Sequence, residues 1–344
     1  MPPAPPPLAL GLLGVGHLGK IHAKCLAELP EDIRVVGVHD VDLDAAEAVA
    51  QQYGWRAFAK TEDLYAELAS ASDVRAVDIV TPTTTHFVLA KAALANGCHV
   101  FVEKPIASTA EEGRALEQLA EDAGRVFQVG HVERFNPAFR HVAEHGIRPV
   151  FIEAHRLAQF NPRALDVSVV LDLMIHDIDL VLSLVDAEIA HISASGVGVV
   201  GDAVDIASAR LDFADGTTAN LTASRISLKN MRKLRLFARD AYVGLDLMTK
   251  DAAIVTLSDY DPASPGAFQL PTPAGLREVT MTQPDIAPAN AIRDELAAFA
   301  KTIREGGQAV VSATDGRRAL EVAERILAGM AAREALRPTP AKAS

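Results

Sequence analysis

The sequence predicts an α/β protein, with an N-terminal parallel sheet covered on both faces and a C-terminal α+β domain built on an open, mostly antiparallel sheet. Three observations carry this. Short continuous apolar runs alternate with helical patterns from Leu8 to about Phe127; a glycine-rich turn follows the first run at once; and beyond Gly130 the runs alternate and are joined by tight-turn signals.

The apolar runs of the first part are "LALGLLGV", "IRVVGVHD", "RAVDIVTP", "CHVFVEKP" and "RVFQVGH". Between them stand "LGKIHAKCLAELP", "LDAAEAVAQQYG", "THFVLAKAALANG" and "TAEEGRALEQLAEDAG", each with helical periodicity. Right-handed crossovers between parallel strands follow from that order. After Gly130, residues 150–160 read as a strand and 169–185 as a helix. Four alternating stretches then run from 187 to 260, and Asp215-Gly216 marks a hairpin. The segment 258–290, rich in Pro, Ser, Asp and Gly, is expected to be a mobile loop or a long hairpin. Two amphipathic helices, "NAIRDELAAFAKTIREGG" and "ATDGRRALEVAERILAGM", close the chain. The expected division is one domain at 8–128 and a second at 129–335. Segments 1–7 and 336–344 are expected to be flexible termini.

With 344 residues, 49% hydrophobic and 23% charged, the composition is that of a globular chain long enough for two cores. A formal charge of −12 argues against nonspecific binding to nucleic acid or anionic membrane. Cys25 and Cys98 stand in no metal-ligand or CxxC spacing and read as reduced thiols. The proline-rich start lacks the basic region of a signal peptide, and no stretch reaches the roughly 20 apolar residues of a membrane span. The expectation is a cytoplasmic, soluble protein.

Gly14-Val15-Gly16-His17-Leu18-Gly19 is GxGxxG, placed between an apolar strand and a helix. The first glycine turns the chain, the second admits a pyrophosphate to the backbone, and the third allows close helix–strand packing. Free N–H groups at the helix start then meet the phosphates. Asp40 ends the second strand about 20 residues later, where a carboxylate accepts from ribose hydroxyls and repels a 2′-phosphate. No arginine follows it in "VDLD". NAD is therefore favoured over NADP; the plainer alternative is that Asp40 only caps the next turn.

Glu103-Lys104-Pro105 ends another buried strand, and the C-terminal ends of parallel strands are where ligands sit in an open α/β sheet. A lysine there holds negative charge as a substrate hydroxyl loses its proton. A surface Glu103–Lys104 ion pair is the bland alternative. The helix "VVLDLMIHDIDLVLSLV" carries Asp172, His176 and Asp179 at i, i+4 and i+7, within roughly a 60° stripe. Asp177 falls off that stripe and reads as a solvent or salt-bridge residue. A carboxylate one turn from a buried histidine orients it and raises its basicity, which prepares a general base. An inert polar network and the start of a zinc site stay open, although no further His or Cys cluster stands nearby. Cofactor, base and cation together describe alcohol oxidation.

These motifs resemble the glucose–fructose oxidoreductase / inositol dehydrogenase (Gfo/Idh/MocA) family in order and spacing: the GxGxxG, "TPTTTH" at 81–86, Glu103-Lys104-Pro105, "RFNP" at 134–137, Asp172-x-x-x-His176-x-x-Asp179, and "DGRRALEVAERIL" at 315–327. The resemblance spans about 8–335. It implies a Rossmann domain followed by a domain whose open sheet joins subunits as a homodimer or homotetramer. It implies Lys104 and His176 as the catalytic pair, with Asp172 orienting or contacting substrate and Asp179 in support. Thr81, Pro82 and His86 would line the nicotinamide side; for His86 a plain helix-start residue is the alternative. Glu103 joins the implied cofactor contacts and Arg134 those to substrate. Many relatives carry glycines where this chain has "DVSVVLD" (166–172), so bulkier side chains should reshape the pocket. "GHVERFNPAF" and the odd helix look like the branch of UDP-N-acetylglucosamine 3-dehydrogenases. Dehydrogenases of free cyclitols or monosaccharides and a non-catalytic NAD-binding regulator are the alternatives. Arg225, Lys229, Arg232, Lys233, Arg235 and Arg239 concentrate positive charge; a solvated or subunit-facing surface is the first reading and a diphosphate site the second. If 233–239 is a strand, Lys233, Arg235 and Arg239 share a face.

Overall fold

The computed structural model describes residues 6–161, 167–201, 203–261, 263, 268–273 and 275–335. Apart from Pro6 and Pro7, the termini expected to be flexible lie outside them, as does Asp166 of "DVSVVLD". The chain divides into two compact units. One holds the described residues through Phe135 together with Ala289–Glu321; the other holds Asn136–Pro288 and the described residues from Val322 on.

In the first unit β1 (Leu8–Leu13), β2 (Ile33–His39), β3 (Ala57–Phe58), β4 (Arg75–Ile79), β5 (His99–Glu103) and β6 (Phe127–Gly130) form one sheet in the order β3-β2-β1-β4-β5-β6. Every pairing is parallel. The strand order reverses between β1 and β4, which opens a crevice at their C-terminal ends. All six residues of β1 are buried, as a strand sandwiched by helices must be.

Helices α1 (His17–Ala27), α2 (Leu43–Tyr53), α3 (Thr61–Ala71), α4 (Thr83–Ala95) and α5 (Ala110–Ala123) connect these strands. Local chemistry sets their ends. The Asp42 carboxylate accepts the Ala45 N–H at 3.2 Å to start α2, and Gly54 at φ 73° stops it. Thr109 and Gly124 do the same for α5. The helix Ala291–Glu305 returns from far along the chain to this unit, where Leu296, Phe299 and Ala300 pack with Ala23, Cys25 and Leu26 of α1.

The second unit contains α6 (Pro137–Glu144), β7 (Phe151–Leu157), α7 (Ile175–Leu184) and a nine-stranded sheet. Its further strands are β8 (Ile189–Val197), β9 (Ile206–Phe213), β10 (Thr218–Ser224), β11 (Met231–Phe237), β12 (Ala241–Asp246), β13 (Asp251–Asp259), β14 (Phe268–Thr272) and β15 (Gly275–Thr282). The order is β14-β15-β13-β12-β11-β7-β10-β9-β8, antiparallel except where β7 lies parallel to β10. Asp215-Gly216 makes the expected turn: Gly216 has φ 88°, and Asp215 accepts the Thr217 N–H at 2.9 Å. Of the two expectations for 258–290, the long hairpin is found, as β13 and β14 both pair with β15. Along β7 the even residues Ile152, Ala154 and Arg156 are buried on the face that meets α7, and the odd residues are only half-covered. The closing helices are α8 (Ala291–Glu305) and α9 (Ala313–Glu334).

Two expectations need correction. The segment 169–185 is not a uniform α-helix: Val170–Met174 is a π-helical turn that runs into α7. Arg239 lies beyond the end of β11 and so does not share a strand face with Lys233 and Arg235.

Candidate active site

The glycine-rich turn is shaped by contacts that only glycine admits. Gly14 has φ 93°, and a Cβ there would meet the Val80 carbonyl oxygen at 2.6 Å. A Cβ on Gly19 would stand 2.1 Å from the Gly14 carbonyl oxygen, so this glycine seats α1 against the turn. Gly16 is different. A Cβ there would meet no atom of the chain within 4 Å, so its flank is open to a ligand at the N-terminus of α1.

A groove of about 750 Å³ starts at this point and is lined by Gly14, Gly16, His17, Leu18, His39, Asp40, Val41, Val80, Thr81, Pro82, Thr84, Thr85, Val88 and Leu89. It brings together seven of the residues picked out for the cofactor. Asp40 sits half-buried, with Oδ2 accepting the Val15 N–H at 2.7 Å and Oδ1 the Asp42 N–H at 3.0 Å. The carboxylate thus ties the glycine turn to the end of β2 and also braces the turn that follows. Asp40 thus supports the next turn and also lines the groove. Thr85 donates to Thr81 Oγ1 at 2.7 Å, which orders the opposite wall.

Two residues expected to face the cofactor are turned elsewhere. His86 is fully buried, with Nδ1 2.8 Å from the Pro105 carbonyl and Nε2 2.9 Å from the Thr81 carbonyl. It clasps the loops after β4 and β5 from inside rather than lining the groove; burial lowers its pKa although both carbonyls oppose that shift. Glu103 points into the core, where Oε1 lies 3.1 Å from His22 Nε2 and Oε2 accepts the Lys104 N–H at 3.1 Å. Lys104 itself is half-buried, and the Lys104–Pro105 peptide is cis. Arg134 lies in a 3₁₀ turn, Val132–Phe135, half-buried and 4.0 Å from Asp315.

In the second unit the π turn alters the expected stripe. Such a turn takes more than 3.6 residues, so Asp172 and His176 are not related as on a straight α-helix. Both remain half-buried, whereas Val170, Met174, Ile178 and Asp179 are covered. Asp177 takes the salt-bridge branch of its expectation, but in the core: Arg156 Nη2 donates to Oδ1 at 2.7 Å and Nε to Oδ2 at 3.0 Å. Among the described residues, Asp172 and His176 belong to no cluster of three ligand-type side chains suited to a metal.

The basic stretch after 225 disperses. Arg225 is buried and donates to Asp205 Oδ1 at 2.6 Å. Lys233 pairs with Asp246 at 3.7 Å and Arg235 with Glu153 at 3.3 Å on the open sheet face. These pairings fit the surface reading better than a diphosphate site. Sequence reasoning missed His22, Asp78 and Glu295, which gather in the first unit, and Arg156 and Asp205 in the second. A carboxylate inside the apolar run "RAVDIV" was the signal available for Asp78.

Comparisons with known proteins bear on the whole chain. A family model described as "Oxidoreductase family, NAD-binding Rossmann fold" matches residues 8–131, and a GFO/IDH/MocA C-terminal domain model matches 128–242. UDP-N-acetylglucosamine 3-dehydrogenase of Acidithiobacillus ferrooxidans is 37% identical over 317 residues, 92% of this chain and 95% of that protein. A solved structure of that dehydrogenase aligns with a TM-score of 0.83 at 34% identity, covering 95% of this chain and 98% of that one. The NAD(+)-dependent scyllo-inositol 2-dehydrogenase of Bacillus subtilis is 33% identical, over 63% of this chain and 67% of its own length. The parallel sheet with its glycine turn, the second, mostly antiparallel sheet and these matches agree: the chain belongs to the Gfo/Idh/MocA family of NAD-binding oxidoreductases.

Proposed function

We propose that this dehydrogenase oxidises a nucleotide sugar, at the 3-hydroxyl of UDP-N-acetylglucosamine, using NAD. The observation that carries the reading is the 37% identity to a UDP-N-acetylglucosamine 3-dehydrogenase over 92% of the chain. The inositol dehydrogenase of Bacillus subtilis matches a shorter share, which makes a free cyclitol the second choice.

The groove of the first unit suits a dinucleotide. Gly16 leaves space for a pyrophosphate, and the first N–H groups of α1 have no partner within the helix to compete for it. Asp40 stands where a carboxylate accepts from ribose hydroxyls and repels a 2′-phosphate, which favours NAD over NADP. Bound NAD supplies a nicotinamide ring that accepts hydride. In this reading His176 removes the substrate hydroxyl proton and Asp172 orients its ring or meets the substrate. Lys104 holds the negative charge that grows on that oxygen, and Arg134 gives the substrate a cationic contact.

The half-covered face of the nine-stranded sheet carries Phe151, Phe237 and Tyr242 in ring contact, at 5.8 Å and 5.1 Å between centroids. A homodimer or homotetramer through this face is part of the proposal; a monomer by light scattering would remove it. Among the described residues no helix is long and apolar enough to cross a membrane. With free Cys25 and Cys98, a nicotinamide reaction on a UDP-sugar fits the cytoplasm.

The test is a single-turnover mix of the protein and NAD⁺ with UDP-N-acetylglucosamine, myo-inositol or glucose, run at enzyme concentrations near that of the cofactor. Reduced nicotinamide with the UDP-sugar alone, absent in His176→Ala, is expected. A burst only with a free polyol would move the substrate to the inositol branch. No burst with any of the three would count against the sugar-nucleotide assignment.

A further inference from the structure

A polar cluster lies inside the first unit, built from five elements. His22 comes from α1, Asp78 from β4, Glu103 from β5, Gln128 from β6 and Glu295 from α8; all five are buried. Phe101 packs edge-on to both His22 and Phe299, at 5.9 Å and 5.8 Å between ring centroids, so the surroundings are apolar. His22 Nδ1 is 2.9 Å from Asp78, and Nε2 is 3.1 Å from Glu103. Only an imidazolium donates from both nitrogens. Burial alone would lower the His22 pKa, but the charges and hydrogen bonds of Asp78 and Glu103 raise it well above the ordinary value.

Glu295 completes the cluster. One of its oxygens, one of Glu103 and a ring nitrogen of His22 lie within 4.8 Å of one another. Neither Glu295 oxygen meets a donor among the described residues, although Gln128 Nε2 donates to its backbone carbonyl at 3.0 Å. An ionised Glu295 would be a third carboxylate beside Asp78 and Glu103, desolvated and without a donor. A neutral acid instead carries an O–H, and the cluster puts a Glu103 oxygen within 4.8 Å as a candidate acceptor. Burial first, then the Glu103 charge and, less, that of Asp78 push the Glu295 pKa well above its ordinary value, against the lowering effect of the His22 charge.

We infer that Glu295 is a neutral carboxylic acid near pH 7 and a positioning residue for Lys104: its O–H donates to the Glu103 carboxylate, whose Oε2 holds the Lys104 backbone N–H at 3.1 Å. Glu103 is seated close against Gly130, where an added Cβ would stand only 2.8 Å from Oε1. The effect on turnover rests on the dehydrogenase reading above; the protonation does not.

Glu295→Gln keeps a neutral donor at the same place, and Glu295→Leu removes it. A raised acid keeps its proton in the folded state while the unfolded chain loses it, so wild-type stability falls as the pH rises above the ordinary value of 4.5. Glu295→Gln lacks that contribution. Its melting temperature is expected to gain on wild type steadily between about pH 5 and about pH 8, and to lose the infrared band of a protonated carboxyl. Its kcat is expected within about twofold of wild type, while Glu295→Leu loses about tenfold to a hundredfold in kcat with the NAD Kd unchanged. Parallel pH–stability curves for wild type and Glu295→Gln would overturn the inference. So would equimolar divalent metal in the purified protein that Glu295→Gln fails to retain, or equal loss of kcat in both variants. Should Glu295→Leu not fold, or no substrate turn over, the pH comparison with Glu295→Gln still decides the protonation.

Discussion

Arg156 on β7 grips Asp177 on α7 in a buried two-pronged pair, Nη2 to Oδ1 at 2.7 Å and Nε to Oδ2 at 3.0 Å. Asp177 adjoins His176 in the chain, so the pair fixes the helix next to the proposed base. Planar guanidinium geometry sets rotation as well as distance, which a lysine would not do. Removing Arg156 takes two charge-assisted hydrogen bonds from a buried carboxylate. Arg156→Met is expected to cost about 3–5 kcal/mol in urea unfolding, and Arg156→Met with Asp177→Leu to recover most of it. Equal losses in the single and double variants would show that packing, not the broken ion pair, sets the cost.

His176→Ala is expected to lower kcat by about 10²–10⁴-fold while NAD binding is kept, because the residue is assigned to proton removal and not to the cofactor groove. Fluorescence titration with NADH checks the second half. A variant that turns over normally would leave His176 as a half-buried core residue and reopen the regulator alternative.

Asp40 has two tasks that one substitution pair separates. Asp40→Asn keeps an oxygen for the Val15 N–H, now held at 2.7 Å, but removes the charge that repels a 2′-phosphate. Its preference for NAD over NADP is expected to fall about tenfold with little loss of stability. Asp40→Ala also frees the glycine turn and should weaken NAD by a further 1.5–3 kcal/mol or so, the order of a hydrogen bond to a charged group. An unchanged preference in Asp40→Asn would reduce Asp40 to a turn residue.

The sequence made the first sheet legible because each βαβ unit is local, with its strand, turn glycine and capping residue within a few dozen positions. Gly14, Gly16 and Gly19 could be assigned different tasks before any contact was known; the contacts at Gly14 and Gly19 fit a tight turn and close packing, and Gly16 has open space beside it. What stayed hidden depends on distant partners. Glu295 lies almost two hundred residues from Glu103, so nothing near it signals that its carboxyl meets another acid. The resemblance implies His86 on the nicotinamide side together with Thr81 and Pro82; its ring turns inward to the Pro105 carbonyl, which no local pattern reveals. Periodicity also failed at 170–174. The apolar spacing fits an α-helix closely, and a single extra residue in one turn leaves little trace in a hydrophobic pattern.

Asp205 links acid stability to the same segment. Its carboxylate accepts the Val199 and Val200 N–H groups at 2.7 Å and 2.8 Å and Arg225 Nε at 2.6 Å. Arg225 also donates to the Val167 carbonyl, just ahead of the π turn that carries Asp172. Burial alone would raise the Asp205 pKa, but the two N–H groups and the guanidinium bring it from 3.8 down to about 2. A depressed folded-state pKa stabilises above the unfolded value, and this stability is lost as the pH falls from 3.8 towards 2. The contribution near neutrality is about 2 kcal/mol. Asp205→Asn is therefore expected to be less stable than wild type at neutral pH and to approach it as the pH falls through this window. Because Arg225 then loses its counter-charge, the lead-in to Asp172 should loosen, raising the substrate KM while the NAD Kd stays fixed. A stability gap that does not close on acidification would mean that Asp205 acts through shape alone, and an unchanged KM would separate the ion pair from the site it adjoins.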